Sequence, residues 1–215
     1  MPTLLDVAHF FDQVAKRIKA DDPLRLVNSG GSGMRGCQWN QYTNHKWLLD
    51  TVDEQNKALS LVYSGNAVDV LNIHYYTNNH CRGDVVKGPD GQDVPMDLVK
   101  YVAAARAIGK PLMVGEAGVS AVAKNSADPK DRKVYAETPD YIDSYWDPNA
   151  AKWVKILCDQ IVDAGPQLVY WWEYGSNRPV DQHVPSFDVK KGRTDAVLNL
   201  IVDANKRLKA KLGAM

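Results

Sequence analysis

Glutamate is scarce in this chain. Of 26 acidic side chains only Glu54, Glu116, Glu137 and Glu173 are glutamates. Two of the four, Glu116 and Glu173, close apolar runs, Pro111-Leu-Met-Val-Gly-Glu116 and Gln167-Leu-Val-Tyr-Trp-Trp-Glu173, that read as buried strands. In parallel α/β architectures ligands gather at the C-terminal ends of strands, where a carboxylate can serve as nucleophile, general acid or general base. His74 and Tyr76 end another such run, Val68–Tyr76. Two apart on a strand, they face the same side and can converge on one neighbour. Trp171 and Trp172 are adjacent and must point opposite ways, so one can pack under helices while the other offers a flat apolar platform at the mouth. Asn28 ends the first run, Leu24-Arg-Leu-Val-Asn28. Each residue also has a plainer reading: a solvated loop carboxylate, a half-buried histidine, a tyrosine hydroxyl in water, two core tryptophans. Their shared place at strand ends is what favours chemistry.

Other residues offer weaker signals. His74, His80 and Cys81 lie on one loop-side segment and Cys37 follows the neighbouring strand, so nitrogen and sulfur donors for zinc are present, with His80 and Cys81 the candidates. The spacing fits no closed zinc motif, and buried free thiols and loop polar groups are the default reading. The loop Ser29-Gly-Gly-Ser-Gly33 suggests phosphate binding, but it has neither the Lys-Ser/Thr ending of a P-loop nor a GxGxxG arrangement. No cofactor is expected. Three cysteines, Cys37, Cys81 and Cys158, exclude a disulfide-stapled scaffold and leave room for one bridge.

The elements that must position these residues alternate. Leu4 to Ile18 has apolar residues at helical spacing and is stopped by Asp21-Asp22-Pro23. Strand Leu24–Asn28 follows. The pattern next predicts a helix from Thr43 or Asn44 through Trp47, Leu48 and Leu49 to about Leu59, then strand Val68–Tyr76. A long polar loop carries the turn signal Gly88-Pro-Asp-Gly91. Further on come a helix over about 96–108, strand 111–116, a helix opened by Asp147-Pro148 and reaching Gly165, strand 167–173, and a last helix from Thr194 to near Gly213. Strands that alternate with helices and are continuously apolar argue an α/β fold with a parallel sheet covered on both faces. No interior linker or low-complexity tract appears, so residues 1–215 read as a single domain.

Composition narrows the partners. Twenty-six basic residues balance 26 acidic ones, against nucleic-acid binding. No apolar stretch nears the roughly 18 residues of a membrane span. Met1-Pro2-Thr3 opens no signal peptide, so a soluble protein, cytoplasmic or secreted with its leader absent, is expected.

Four segments together carry a resemblance. Pro111-Leu-Met-Val-Gly-Glu-Ala-Gly118 resembles the seventh barrel strand of the clan of retaining (β/α)8 glycoside hydrolases, which includes the family 5 cellulases and mannanases and the family 2 β-galactosidases. In that clan the strand ends in Gly-Glu, and the Glu is the catalytic nucleophile. Asp69-Val-Leu-Asn-Ile-His-Tyr-Tyr76 is similar to the sixth strand, where His-x-Tyr supports the nucleophile by hydrogen bonding. The passage Arg17–Asn28 resembles the clan's helix-to-fifth-strand connection. Val169-Tyr-Trp-Trp172 is similar to the eighth strand, which gives an aromatic to the sugar subsite beside the cleaved bond. The resemblance covers essentially the whole chain but only the C-terminal half of the clan's barrel. It implies a cellulase-like hydrolase of a β-linked glycan, with Glu116 as nucleophile, His74 and Tyr76 tuning it, and Trp172 as sugar platform.

Length agrees with half a barrel. Strand centres near residues 27, 71, 113 and 170 are about 43, 43 and 57 residues apart, and eight units at that pitch need well over 300 residues. The expected fold is a (β/α)4 half of a TIM barrel with a leading extra helix, completed by dimerisation or by a missing N-terminal half-barrel. Retaining hydrolysis needs two carboxyl groups about 5–5.5 Å apart. The clan's acid/base is a Glu that follows Asn, and no Asn-Glu pair occurs in the 215 residues. Three outcomes stay open: a truncated hydrolase, a homodimer whose halves bring Glu116 and Glu173 into new carboxylate pairs, or Glu173 as the acid within one chain. The rival class is a non-catalytic carbohydrate-binding or assembly module. A fainter alternative is an unrelated α/β protein that binds a phosphorylated small molecule at Ser29–Gly33.

Overall fold

Helix starts in the sequence are written largely in side-chain caps. In the computed structural model, which describes residues 3–76, 85–118, 150–172 and 195–214, Thr3 opens α1 (Leu4–Asp21) with a capping box to Asp6. The carboxylate of Asp6 accepts from the Thr3 amide at 2.7 Å, and the Thr3 hydroxyl accepts from the Asp6 amide at 3.2 Å. Thr51 and Glu54 repeat the device at the head of α3 (Val52–Tyr63). Asp97 caps α4 (Leu98–Ala107) through the Lys100 amide.

The remaining elements, in chain order, are α2 (Gln38–Asn44), β1 (Leu71–Tyr76), β2 (Val85–Lys87), β3 (Asp93–Pro95), β4 (Leu112–Gly118), α5 (Ala150–Ala164), β5 (Leu168–Trp171) and α6 (Asp195–Gly213). Strands β1, β4 and β5 form one parallel sheet in the order β1-β4-β5, and β2 and β3 form an antiparallel pair.

The chain resolves into two compact units. Of the described residues, the first holds 3–74, 85–115 and 166–168; the second holds 75–76, 116–118, 150–165, 169–172 and 195–214.

In the first unit α1 packs on α3, with the Phe11 and Tyr63 rings stacked at 6.0 Å. Ala58, Leu59, Val62, Leu71, Ile73, Tyr101, Leu112 and Val114 are buried in its core. Asp69 ties the end of α1 to the chain beyond it: its carboxylate accepts from Lys19 at 2.8 Å and from the Val27 amide at 2.8 Å. The stretch expected as a first strand makes a single parallel bridge, Asn28 to Val70, with the Val27 carbonyl accepting from the amides of Asp69 and Val70. Among the described residues the sheet therefore has three strands plus this bridge, and Leu24 and Leu26 are left 93% and 74% exposed.

Two expectations are corrected here. The helix expected over 43–59 is two helices, because α2 ends at Asn44 and the capping box restarts the chain at Thr51. Between them Asp50, fully buried, turns back onto the start of α2, where its carboxylate accepts from the amides of Trp39 and Asn40 at 2.8 Å each. Negative charge at a helix N-terminus is favourable, and this contact excludes a continuous helix. The second correction concerns 85–95, expected as loop. Its turn signal closes the β2–β3 hairpin, with the Gly88 amide donating to Gln92 and Gly91 at φ 77°. Three-residue strands are too short to show a period.

In the second unit α5 and α6 pack face to face through Val154, Leu157, Cys158 and Ile161 on one side and Val197, Ile201, Ala204 and Leu208 on the other. Lys211 donates to the carbonyls of Val162 and Asp163 at 2.9 and 2.7 Å, satisfying the last turn of α5 where a cation is favoured. Among the described residues no helix is long and apolar enough to cross a membrane.

Candidate functional site

A short hydrogen bond joins two of the expected site residues, on neighbouring strands. The Tyr76 hydroxyl donates to a Glu116 carboxylate oxygen at 2.6 Å, the length of a charge-assisted O–H···O⁻ bond. Tyr76 ends β1 and is half-buried, and Glu116, also half-buried, lies two residues before the end of β4. Both belong to the second unit. A phenol that donates to a carboxylate in this way fixes the orientation of the acidic group.

Gly118 makes this pairing possible. A Cβ there would lie 2.8 Å from Cε1 of the Tyr76 ring and 3.1 Å from the Trp172 carbonyl. The ring thus takes up space that a side chain at residue 118 would need, which only glycine leaves open. Trp172 continues β5, and its amide donates to the Ala117 carbonyl at 2.8 Å, next to Glu116 in sequence. Trp171 and Trp172 are both half-buried.

His74 and Asn28 belong to the first unit. His74 is half-buried on β1, and its amide donates to the Ser32 carbonyl at 3.0 Å. Asn28 is exposed and works locally: its carbonyl oxygen accepts from the Gly30 amide at 2.7 Å, and its amide nitrogen contacts the Met113 sulfur at 3.5 Å. Those contacts turn the chain into the glycine loop. Beneath His74 on the same face of β1, Asn72 is buried and donates to the Gly31 carbonyl at 2.6 Å. Its carboxamide fills the space over Gly115, where a Cβ would meet it at 2.5 Å.

Gly118, Gly115 and Asn72 were not singled out by their sequence. The signal in hindsight is the Gly-x-x-Gly spacing around Glu116, in strands that otherwise carry bulky side chains.

Glu173, His80 and Cys81 lie outside the described residues. Among the described residues no three His, Cys, Asp or Glu side chains cluster as a metal site. Cys37 and Cys158 are free thiols.

The fold resembles part of the barrel of family 5 glycoside hydrolases. The endo-1,4-β-mannanase from Rhizomucor miehei aligns at TM-score 0.55 and 14% identity over 95% of this chain and 47% of its own. The family 5 mannosidase from the same organism aligns at TM-score 0.53 and 16% identity, over 94% and 49%. A mutant of that mannosidase in complex with mannosyl-fructose aligns at TM-score 0.51 and 16% identity, again over 94% and 49%. The chain spans about half the length of the solved structures it matches. No protein-family model and no curated protein sequence matches it.

Proposed function

We propose that the chain is a half-barrel, acting as one domain, of a retaining glycoside hydrolase for a β-linked glycan, with Glu116 as nucleophile. The Tyr76–Glu116 hydrogen bond carries this reading. It orients a carboxylate at a strand end, and the glycine at 118 keeps the phenol in place. In the first step a Glu116 oxygen bonds to the anomeric carbon while the glycosidic C–O bond breaks, and an acid passes its proton to the leaving oxygen. In the second, water attacks the anomeric carbon, the Glu116 ester bond breaks and the water's proton returns to the acid, now a base. Trp172 serves as sugar platform beside Glu116, and Trp171 packs behind it.

The acid/base is absent from its usual Asn-Glu context. We assign it to Glu173, its own or that of a second copy. In a homodimer the like charges of neighbouring carboxylates would keep one protonated. The alignment to half of the family's chains and the bare Leu24 and Leu26 beside the Asn28 bridge support pairing with a second half-barrel.

Chromogenic β-mannosides and β-glucosides, and a 2-fluoro glycosyl fluoride that traps the ester, test the nucleophile. Turnover is expected in wild type and lost in Glu116→Gln, with the trapped sugar mapped to Glu116 by mass spectrometry. Turnover that survives the substitution overturns the assignment. The missing Asn-Glu specifically favours a second reading, a carbohydrate-binding module without catalysis. Sugar binding by the wild type with no turnover of any glycoside would establish it.

A further inference from the structure

A cleft of about 440 Å³ opens in the first unit beside the start of α1. It shares no residue with the Tyr76–Glu116 pair. Gln38, Gln41, Tyr42, His45 and Trp47, from α2 and the loop after it, give the cleft its polar and aromatic surface. Among the described residues no Lys, Arg, Asp or Glu lines it, so its surface suits a neutral ligand. Trp47 is 66% exposed, so its indole presents a flat apolar surface to solvent. Among the described residues, no protein group takes up the side-chain amides of Gln38 and Gln41.

The backbone around the cleft is costly and firmly held. His45 takes φ 54°, the one non-glycine residue with positive φ among those described. Glycine or asparagine suits this helix-end position better, and a residue with a larger side chain costs about 1 kcal/mol there. Its imidazole lines the cleft, which gives a reason for the choice. The loop's far end is fixed by buried Asp50, which takes hydrogen bonds from Trp39, Asn40 and Gln55, the last at 2.6 Å. The Asp50 amide is itself bonded to the Gly36 carbonyl at 2.6 Å. The cleft is thus preorganised by a network that makes no use of the lining side chains.

A neutral ligand rich in hydroxyls, with one apolar face, fits this surface: two amides and an imidazole to exchange hydrogen bonds, an indole to stack against. We propose that the cleft is a second, non-catalytic saccharide-binding site, in which a pyranose ring stacks on Trp47 and its hydroxyls are held by Gln38, Gln41 and His45. The site goes beyond the proposed hydrolase and does not require Glu116 to be a nucleophile.

The test is calorimetric titration of β-1,4-mannohexaose and cellohexaose into Glu116→Gln protein, with chromatography of the titrated mixture to show that the sugars stay intact. Adding Trp47→Ala is expected to weaken one binding event at least tenfold, and Trp47→Tyr to restore most of it. Trp172→Ala is expected to leave that event unchanged. Trp47 is exposed, so circular dichroism of Trp47→Ala should match the parent. Binding that is lost only with Trp172→Ala overturns the cleft and leaves the hydrolase reading standing. Binding lost with Trp47→Ala alone sustains the cleft and removes Trp172 as platform. No binding of either hexaose overturns the cleft and leaves the hydrolase reading to its turnover assay.

Discussion

Tyr76 holds Glu116 by a single short bond, and its removal has a definite signature. Tyr76→Phe keeps the ring over Gly118 and deletes only the hydroxyl. A charge-assisted hydrogen bond contributes about 1.5–3 kcal/mol, so kcat/KM on a β-glycoside should fall roughly 10–100-fold with little change in thermal midpoint. Gly118→Ala tests the same contact from the other side. Its methyl displaces a ring now 2.8 Å away, so the variant should lose about 1–3 kcal/mol of stability by urea titration and at least as much activity as Tyr76→Phe. Cys158 makes the opposite case, a group held out of chemistry. Burial pushes its thiol up to about 12, and it donates to the Leu200 carbonyl at 3.6 Å. At pH 8 iodoacetamide should leave Cys158 unlabelled until denaturant is added, as read by mass spectrometry. At this scale the sequence was legible where periodicity acts within one strand. It put His74 and Tyr76 on one side and Glu116 at a strand end. Gly118 and Asn72 were illegible because their partners lie on neighbouring strands, and only register brings those together.

Among the elements, the region 36–63 depends on Asp50 and the Thr51–Glu54 box. Thr51→Ala should cost about 1 kcal/mol, the usual loss of a helix cap, measured by urea midpoint. Asp50→Ala strands the buried amides of Trp39 and Asn40 and should cost at least about 3 kcal/mol. Apolar spacing misread this region as one helix because Trp47, Leu48 and Leu49 continue the pattern; two of them, Trp47 and Leu48, are exposed. The signal that would have divided it was present, Thr51-x-x-Glu54. The join of α1 to the Asn28 bridge is pH-sensitive. Burial alone would raise the pKa of Asp69, but Lys19, the Val27 amide and Lys110 together hold it below the ordinary carboxylate value. A carboxyl depressed in the folded state contributes its full stability above about pH 4 and loses it as pH falls through the lower folded value. Urea midpoints should therefore drop as pH is lowered below about 4, and Asp69→Asn should flatten that part of the profile.

For the molecule as a whole, 215 residues meet a fold twice as long. Length against unit pitch made a partial barrel legible; which surfaces stay exposed depends on packing, which a sequence read alone does not show. Leu24 and Leu26 lie at the bridge, while Leu168 and Tyr170 are 45% and 53% exposed on β5, the opposite end of the strand order. Pairing of two copies predicts a mass near twice 23.9 kDa by light scattering, and a shift to monomer with Leu24→Glu and Leu26→Lys together. A monomer in the unsubstituted protein would remove the shared site. The interleaving of the two units along the chain limits how the protein can be dissected or synthesised. No uninterrupted stretch encodes the second unit alone, since Tyr75 and Tyr76 precede much of the first and α6 follows all of it. On the ribosome Tyr76 therefore emerges long before α6, so the second unit cannot be complete until the chain has passed through the first.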